Sequence, residues 1–195
     1  MKGFFAIIPL LFALCISVGA TFAPETDYMG LMMEAVCAGD AAAGTEAEAL
    51  RNEKIGALGL DEVKISFREL DLLSRLIESE AGSLWLSPEW KMAVGEVALN
   101  RVASPEFPDS LEAVITQPGQ YRGAEWGYIF SPPPSMESVE AAKALLEGER
   151  ILSDPSVVFQ ANFPQGSSVH TELYDPLLGS TYFCCSNYPE LYWEE

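Results

Sequence analysis

Apolar residues recur at helical spacing in several stretches of this 195-residue chain. The clearest stretch covers residues 67–81, where apolar side chains fall on one stripe and the stripe ends before Gly82. Its members are Leu70, Leu73, Leu76, Ile77 and Ala81. The spacing predicts an amphipathic helix over 67–81.

Three further helices are predicted after Gly82. Ser87 followed by Pro88 is an N-cap with proline in the first turn. One side of the helix that they open is apolar, formed by Trp90, Val94, Val97 and Ala98. The other two helices are a short one over 111–116, capped by Asp109 or Ser110, and one that Ser135 caps and Gly148 ends.

Between these helices, residues 117–134 form an aromatic segment rich in glycine and proline, which predicts a loop. Late in the chain, "SVVFQAN" at 156–162 and "STYFCCS" at 180–186 carry β-type residues and predict two short strands. The expected fold is therefore α+β and mainly helical, with a small sheet late in the chain.

The N-terminus predicts a targeting signal over residues 1–20. Lys2 precedes sixteen mostly apolar residues that contain Pro9, and small residues then supply a cleavage site after Ala20. The run is short for a membrane span, which needs about 20 apolar residues. We expect a cleaved signal peptide, with an uncleaved anchor as the alternative, and a secreted or cell-envelope protein.

Residues 21–64 have a composition of their own, rich in alanine, glutamate and glycine. Met29–Ala38 and Thr45–Leu58 each predict a helix, with a break at Gly39 and the "AAAG" stretch. Because few large side chains are available, we interpret this segment as a helical arm or linker. Residues 65–195 are expected to form the main domain and to keep their fold without the arm.

The net charge bears on which partners the protein can bind, and the cysteine content bears on disulfides and metal sites. The formal net charge is −18, so the surface should repel nucleic acid and anionic membranes. Affinity for any polyanionic substrate would then come from a shaped groove. Removal of the signal leaves three cysteines, Cys37, Cys184 and Cys185. The sequence leaves undecided whether Cys37 forms a disulfide with Cys184 or Cys185. With one histidine, His170, a Cys/His zinc site is not expected.

Two glutamates near the end of the 67–81 helix are the first candidates for chemistry. At about 100° per residue, Leu73 and Ile77 lie within roughly 60° of Glu80, whereas Glu78 lies about 160° away. Glu80 is thus expected on the buried face and Glu78 in solvent. Burial and the negative end of the helix dipole both raise a carboxyl pKa, which suits a general acid. The alternative is a structural role for Glu80, paired with an arginine or frayed into water.

From Leu70 to about Phe183 the chain resembles the spore-cortex-lytic cell wall hydrolases of the SleB/CwlJ type. The matching stretches are "LLSRLIESEAGS", "WKMAVGEVALNRVASPEFPDSLEAVITQPGQY", "SVEAAKALLEG", "VVFQAN" and "LGSTYFC", in this order. That family is similar to the lysozyme-like transglycosylases, which have a small, mainly helical fold and a groove for peptidoglycan glycan strands. The resemblance implies a spore-cortex or germination setting as one option.

The resemblance also implies a mechanism with one catalytic glutamate, which matches Glu80. This residue would protonate the glycosidic oxygen between N-acetylmuramic acid and N-acetylglucosamine. As a carboxylate it would then activate the C6 hydroxyl of the same muramic residue, which leaves a 1,6-anhydro end and needs no metal or cofactor. Hydrolysis by a muramidase is the alternative mechanism. An inverting hydrolase requires a second carboxylate, and the candidates for it are Glu89, Glu96 and Glu106.

Substrate contacts are expected from the 117–134 segment. The resemblance matches Gln120 to a groove residue together with Tyr121, and the aromatic rings of Trp126 and Tyr128 suit stacking on sugar. The same rings are equally expected as core filler beneath the loop. Asn100 and Arg101 match the family as well, with a structural and a functional role open.

Two departures from the family pattern concern secondary contacts. Leu84 stands where many relatives have a second glutamate, and Tyr182 stands where relatives often have histidine. A second class of function therefore stays open, a non-catalytic envelope or spore-coat protein that binds glycan through the same groove. An amidase is less well supported, because the chain lacks the histidine and glutamate set that holds zinc. The sequence does not determine the oligomeric state.

Overall fold

A computed structural model describes residues 26–125 and 127–193 of the protein. The predicted signal over 1–20 lies outside the described residues. Within the described part no helix is long and apolar enough to cross the lipid bilayer. In the described residues, seven α-helices precede a three-stranded sheet, which confirms the mainly helical α+β class. The helices are α1 (Tyr28–Ala38), α2 (Ala41–Leu58), α3 (Phe67–Ala81), α4 (Pro88–Ala103), α5 (Leu111–Ile115), α6 (Arg122–Glu125) and α7 (Met136–Leu146).

The helix boundaries follow the local signals closely. The side chain of Ser66 caps α3, and the side chain of Ser87 caps α4 with Pro88 in its first turn. Ser110, one of two predicted caps, accepts a hydrogen bond from the N–H of Ala113 at the start of α5. The predicted 117–134 loop contains α6 and a 3-10 turn over Tyr128–Phe130.

The sheet is antiparallel, with β1 (Val157–Ala161) and β2 (Val169–Asp175) on either side of β3 (Gly179–Cys185). The sequence predicted β1 and β3 and missed β2. Most β2 side chains are exposed or half-buried, so the strand has no apolar stripe to reveal it. Asp175 turns the chain from β2 to β3 by accepting hydrogen bonds from the backbone N–H groups of Leu177 and Leu178.

Two clusters of buried apolar side chains lie side by side. The first joins α1, α3, α5 and α7, and the second fills the space between α4 and the sheet. Helix α3 contributes to both, with Ile77 in the first cluster and Ala81 in the second. A Cβ at Gly95 would lie 2.6 Å from Leu145 and 2.8 Å from Ile77, so this glycine lets α4 approach α3 and α7 closely. The C-terminal end of α3 thus reaches the border between the two clusters.

Buried polar side chains of α4 hold the segment that leads into the sheet. The carboxylate of Glu96 accepts hydrogen bonds from the backbone N–H groups of Ile151, Leu152 and Ser153, at 2.7, 2.9 and 3.2 Å. Asn100 donates to the backbone carbonyls of Asp154 and Val157, both at 3.1 Å. Arg101 donates its Nε–H to the carbonyl of Val158 at 2.6 Å. Helix α4 therefore fixes the position of β1.

Residues 26–64 of the predicted arm lie against the rest of the molecule. The predicted break at "AAAG" is wrong, because Asp40 caps α2 directly and these four residues form its first turn. Met32 and Val36 of α1 are completely buried in the first cluster, and Gly44 of α2 faces the ring of Phe67. The domain boundary near residue 64 itself stays a prediction.

Cys37, Cys184 and Cys185 are all free thiols in this structure. The disulfide that the sequence left open between Cys37 and the adjacent pair is not formed.

The burial of α1 leads to a prediction about stability. Met32→Ala should lower the free energy of unfolding by about 2–5 kcal/mol, since the lost side chain leaves a cavity in the first cluster. Leu31→Ala, on the same helix but 44% exposed, is the matched control and should change it by less than about 0.5 kcal/mol. Urea denaturation of both variants measures the difference. Equal stability of the two variants would show that α1 is a loosely attached arm, and a chain that begins at Ile65 would then unfold cooperatively.

Candidate active site

Glu80 lies where two cavities meet at the C-terminal end of α3. The larger cavity encloses about 520 Å³ and the smaller about 170 Å³, and Glu80 lines both. The larger one is bordered by α3, α6 and the 3-10 turn, with Arg75, Arg122 and Tyr128 in its wall. The smaller one is bordered by α4 and the sheet, with Trp90, Gln160 and Thr181. Glu80 is the lining residue that the two cavities share, so we treat them as the two halves of one candidate groove.

The environment of Glu80 raises the pKa of its carboxyl group. Desolvation by the surrounding protein is the main cause, and the charge of Arg101 opposes it. The side chain is nevertheless exposed by its accessible area, so the expectation that it lies buried among apolar residues is wrong. Both observations fit a carboxyl group in a concave site, because protein surrounds the group while its oxygens still reach the groove. The predicted rise of the pKa is confirmed in direction.

Glu78, two residues earlier, has the opposite electrostatics. Its Oε2 accepts hydrogen bonds from the backbone N–H of Ser135 at 3.0 Å and from the hydroxyls of Ser135 and Ser138 at 2.6 and 2.7 Å. Desolvation is the largest single influence and raises the pKa, but these bonds and the charge of Lys91 together lower it. Glu78 is half-buried, so the expectation that it faces solvent is wrong. Its carboxylate attaches α3 to the N-terminus of α7.

The position of α7 explains why Ser135 does not cap its own helix through its side chain. The hydroxyl of Ser135 donates to Glu78, and the negative carboxylate then lies at the positive end of the α7 dipole. Lys91 completes the arrangement from α4, since its buried Nζ donates to the carbonyl of Ala81 at 2.8 Å and satisfies the C-terminal end of α3.

Tyr121 and Tyr128, both predicted to contact substrate, occupy different environments. Tyr121 is only 2% exposed, and the Arg101 guanidinium lies 5.2 Å from its ring centroid. Burial raises the pKa of its hydroxyl, against the charge of Arg101. Tyr128 is 66% exposed and lines the larger cavity beside Glu80. The geometry therefore leaves Tyr128 accessible to a glycan and places Tyr121 in the supporting core.

The remaining predicted contacts are less close to Glu80. Gln120 is exposed on the turn before α6 and is absent from the walls of both cavities. Trp126 lies outside the described residues. The substrate roles of Gln120, Tyr121, Trp126 and Tyr128 stay predictions. Asn100 and Arg101 are buried and bonded to backbone carbonyls of the 154–158 segment, which supports the structural role left open for them.

The three candidates for a second catalytic carboxylate are placed elsewhere. Glu89 is exposed in the first turn of α4, and Glu96 is committed to the N–H groups of residues 151–153. Glu106 accepts hydrogen bonds from Ser186 and Tyr192. Its carboxylate contributes, after desolvation, to raising the pKa of Tyr192 to about 12. None of these three glutamates lines either cavity at Glu80.

The smaller cavity contains residues that sequence reasoning missed. Gln160, Asn162 and Thr181 line it with uncharged polar side chains, and Oε1 of Gln160 is buried without a hydrogen-bond partner among the described residues. Their polar side chains within or beside the predicted strands were the available signal, because such residues usually face solvent or a site.

Other cavities of the described residues carry no comparable chemistry. One of about 400 Å³ lies between α1, α2 and α7, where Arg51 and Lys143 are paired with Glu62 and Glu147. Another of about 420 Å³ between α4 and α7 is largely apolar. No cluster of histidine, cysteine, aspartate and glutamate that would hold a metal ion occurs among the described residues.

In this mainly helical α+β domain, Glu80 lines two cavities and the pKa of its carboxyl group is raised, which is chemistry that a general acid could use. Residues 87–171 match the model of the Cell Wall Hydrolase family, the SleB/CwlJ type that the sequence resembles. The family is one of hydrolases that act on peptidoglycan. Glu80 precedes the matched segment, and no curated protein or solved structure matches the chain.

The bonds to Glu78 predict a pH-dependent contribution to stability. Glu78→Gln should lower the free energy of unfolding by about 1 kcal/mol at neutral pH, because charge-assisted hydrogen bonds become neutral ones. A lowered pKa in the folded state stabilises the protein above the pKa of the unfolded state, and this gain is lost as the pH falls through the folded pKa. The parent and the variant should therefore converge in acid. Urea denaturation across pH 3–7 measures this, and a constant difference would contradict it.

The two tyrosines predict opposite outcomes. Tyr121→Ala should lower the free energy of unfolding by about 3–5 kcal/mol, as for other large buried aromatic side chains. Tyr128→Ala should leave stability within about 0.5 kcal/mol and weaken glycan binding, because its exposed ring lines the cavity. Thermal melts and binding to purified sacculi separate the two effects. Unchanged binding by the Tyr128 variant would remove this ring from the substrate site.

Proposed function

We propose that the protein is a secreted or cell-envelope peptidoglycan glycosidase that works as a lytic transglycosylase, with Glu80 as its single acid and base. The observation that carries this proposal is the position of Glu80 at the junction of two cavities, in surroundings that raise its pKa. A carboxyl group that holds its proton near neutral pH is able to protonate a leaving oxygen.

The chemistry needs one proton donor and one internal nucleophile. Protonated Glu80 gives its proton to the oxygen between N-acetylmuramic acid and N-acetylglucosamine, and the bond from that oxygen to C1 of the muramic residue breaks. Glu80, now a carboxylate, takes the proton from the C6 hydroxyl of the same residue as its oxygen bonds to C1. The products are a 1,6-anhydro end and a free 4-hydroxyl, and Glu80 is again protonated.

The placement of the other glutamates supports this route over inverting hydrolysis. An inverting enzyme uses a second carboxylate about 6.5–9.5 Å from the acid to activate water. Besides Glu80, the described lining of the two cavities includes one carboxylate, Glu78, and three hydrogen bonds commit it to Ser135 and Ser138.

A non-catalytic glycan-binding protein is the second candidate. The exposed rings of Tyr128 and Phe130, 66% and 54% accessible, suit it as well as they suit an enzyme. Turnover separates the two functions.

Glu80→Gln keeps the shape of the side chain but has no proton to give, so activity on purified sacculi should fall by about 10²–10⁴-fold. In the parent, activity should decline as the pH rises through the raised pKa of Glu80, because the acid must be protonated. Mass spectrometry of the products should find 1,6-anhydromuramic ends.

Glu89→Gln is the matched control, since Glu89 is exposed and lines neither cavity, and it should retain parental activity. Reducing ends in place of anhydro ends would assign water as the nucleophile. Parental turnover in Glu80→Gln would refute the catalytic role, and a parent without turnover on sacculi would favour the glycan-binding protein.

A further inference from the structure

Two arginines line the larger cavity of a strongly acidic protein. The chain has 11 lysines and arginines against 29 aspartates and glutamates, yet Arg75 and Arg122 both line this one cavity. The same lining contains two glutamates, Glu78, whose carboxylate is held by Ser135 and Ser138, and Glu80, whose pKa is raised by burial. The two guanidinium groups therefore give an anion cationic partners in this cavity, in contrast to the net charge of −18.

The two arginines reach the cavity from different elements, and each has a defined position. Arg75 of α3 is 11% exposed in its side chain, and its Nε–H bonds Asp71 at 2.8 Å, which leaves the other N–H groups of the guanidinium. Arg122 is exposed at the start of α6. A Cβ on the neighbouring Gly123 would lie 2.2 Å from Oγ of Ser79, so glycine allows α6 to lie directly against α3.

The smaller cavity on the other side of Glu80 has no such charge. Apart from Glu80 itself, its described lining contains amide, hydroxyl and apolar side chains and no lysine or arginine. The groove is thus electrically asymmetric about the candidate catalytic carboxyl group.

We propose that the arginine-lined cavity is the subsite for the muramic residue, where Arg75 and Arg122 bind a carboxylate carried by its lactyl substituent. The N-acetylglucosamine residue then lies over the uncharged cavity. Arginine forms paired hydrogen bonds with carboxylates and keeps its charge at every relevant pH, which suits this recognition. The inference rests on the proposed function, because it assigns the direction in which the glycan crosses Glu80.

Two sources of that carboxylate are available in peptidoglycan. One is the lactyl carboxylate itself where no peptide is attached, and the other is the first carboxylate of an attached peptide. Three glycans distinguish them: peptide-bearing strands, strands stripped of peptide, and stripped strands whose lactyl carboxylates are capped as neutral methylamides. Dissociation constants measured with the Glu80→Gln variant report binding without turnover.

Capping should weaken binding by about tenfold, the scale of one partly solvated charge-assisted hydrogen bond. Arg122→Gln, introduced into the same background, should weaken binding of carboxylate-bearing strands by a similar factor and leave the capped strands unchanged. If stripped strands bind more tightly than peptide-bearing strands, the lactyl carboxylate is the group that the arginines bind. If peptide-bearing strands bind more tightly, the group is the first carboxylate of the peptide. Added salt should weaken binding of the carboxylate-bearing strands more than binding of the capped strands.

Arg68→Gln is the matched control on α3, because Arg68 is exposed, pairs with Glu112 and lines neither cavity. It should bind all three glycans as the parent does. Equal affinity for capped and uncapped strands, or an equal loss with every glycan in Arg122→Gln, would overturn the inference. A third outcome separates the two proposals. If binding depends on the carboxylate but Glu80→Gln turns over substrate as the parent does, the catalytic role of Glu80 is refuted and the subsite is retained.

Discussion

The groove depends on the buried polar side chains of α4. Glu96, Asn100 and Arg101 bond the backbone of residues 151–158 and so hold β1 at a fixed distance from the helix. A buried carboxylate without partners would be costly, but three backbone N–H groups satisfy Glu96. Since β1 carries Gln160 into the wall of the smaller cavity, the same bonds that stabilise the loop also set the width of the site.

Glu78 and Glu80 lie two residues apart at one helix end, yet the pKa values of their carboxyl groups are shifted in opposite directions. Desolvation raises the pKa of both carboxyl groups. At Glu78, hydrogen bonds from the N-terminus of α7 and the charge of Lys91 lower the pKa, whereas at Glu80 only the charge of Arg101 opposes the rise. The environments therefore move the two pKa values apart, as acid–base sites require. The ionised residue fixes the position of α3 against α7, and the residue with the raised pKa faces the groove.

The sequence predicted well where a local signal decides the structure and poorly where a neighbouring element does. The bounds of α3 and the cap of α4 at Ser87 follow from the apolar stripe and the Ser-Pro pair. The helical wheel placed Glu78 in solvent because it describes a single helix and contains no information about Ser135, which is 57 residues away. For the same reason Glu96 was a candidate for catalysis, although its partners lie in a loop more than fifty residues later.

The protein is strongly acidic overall, but two arginines lie in the larger cavity. These two features act over different distances on a substrate that carries carboxylates. Long-range repulsion from a surface of net charge −18 weakens non-specific adhesion to an anionic wall, and physiological salt screens that repulsion beyond about 8 Å. Inside the groove the distances are shorter and the surroundings less polar, so Arg75 and Arg122 act there with less screening. In the proposed function, a strand enters the two cavities in one direction, with its carboxylate at the arginines. That orientation would bring the glycosidic oxygen to Glu80, because this residue is shared by both cavities.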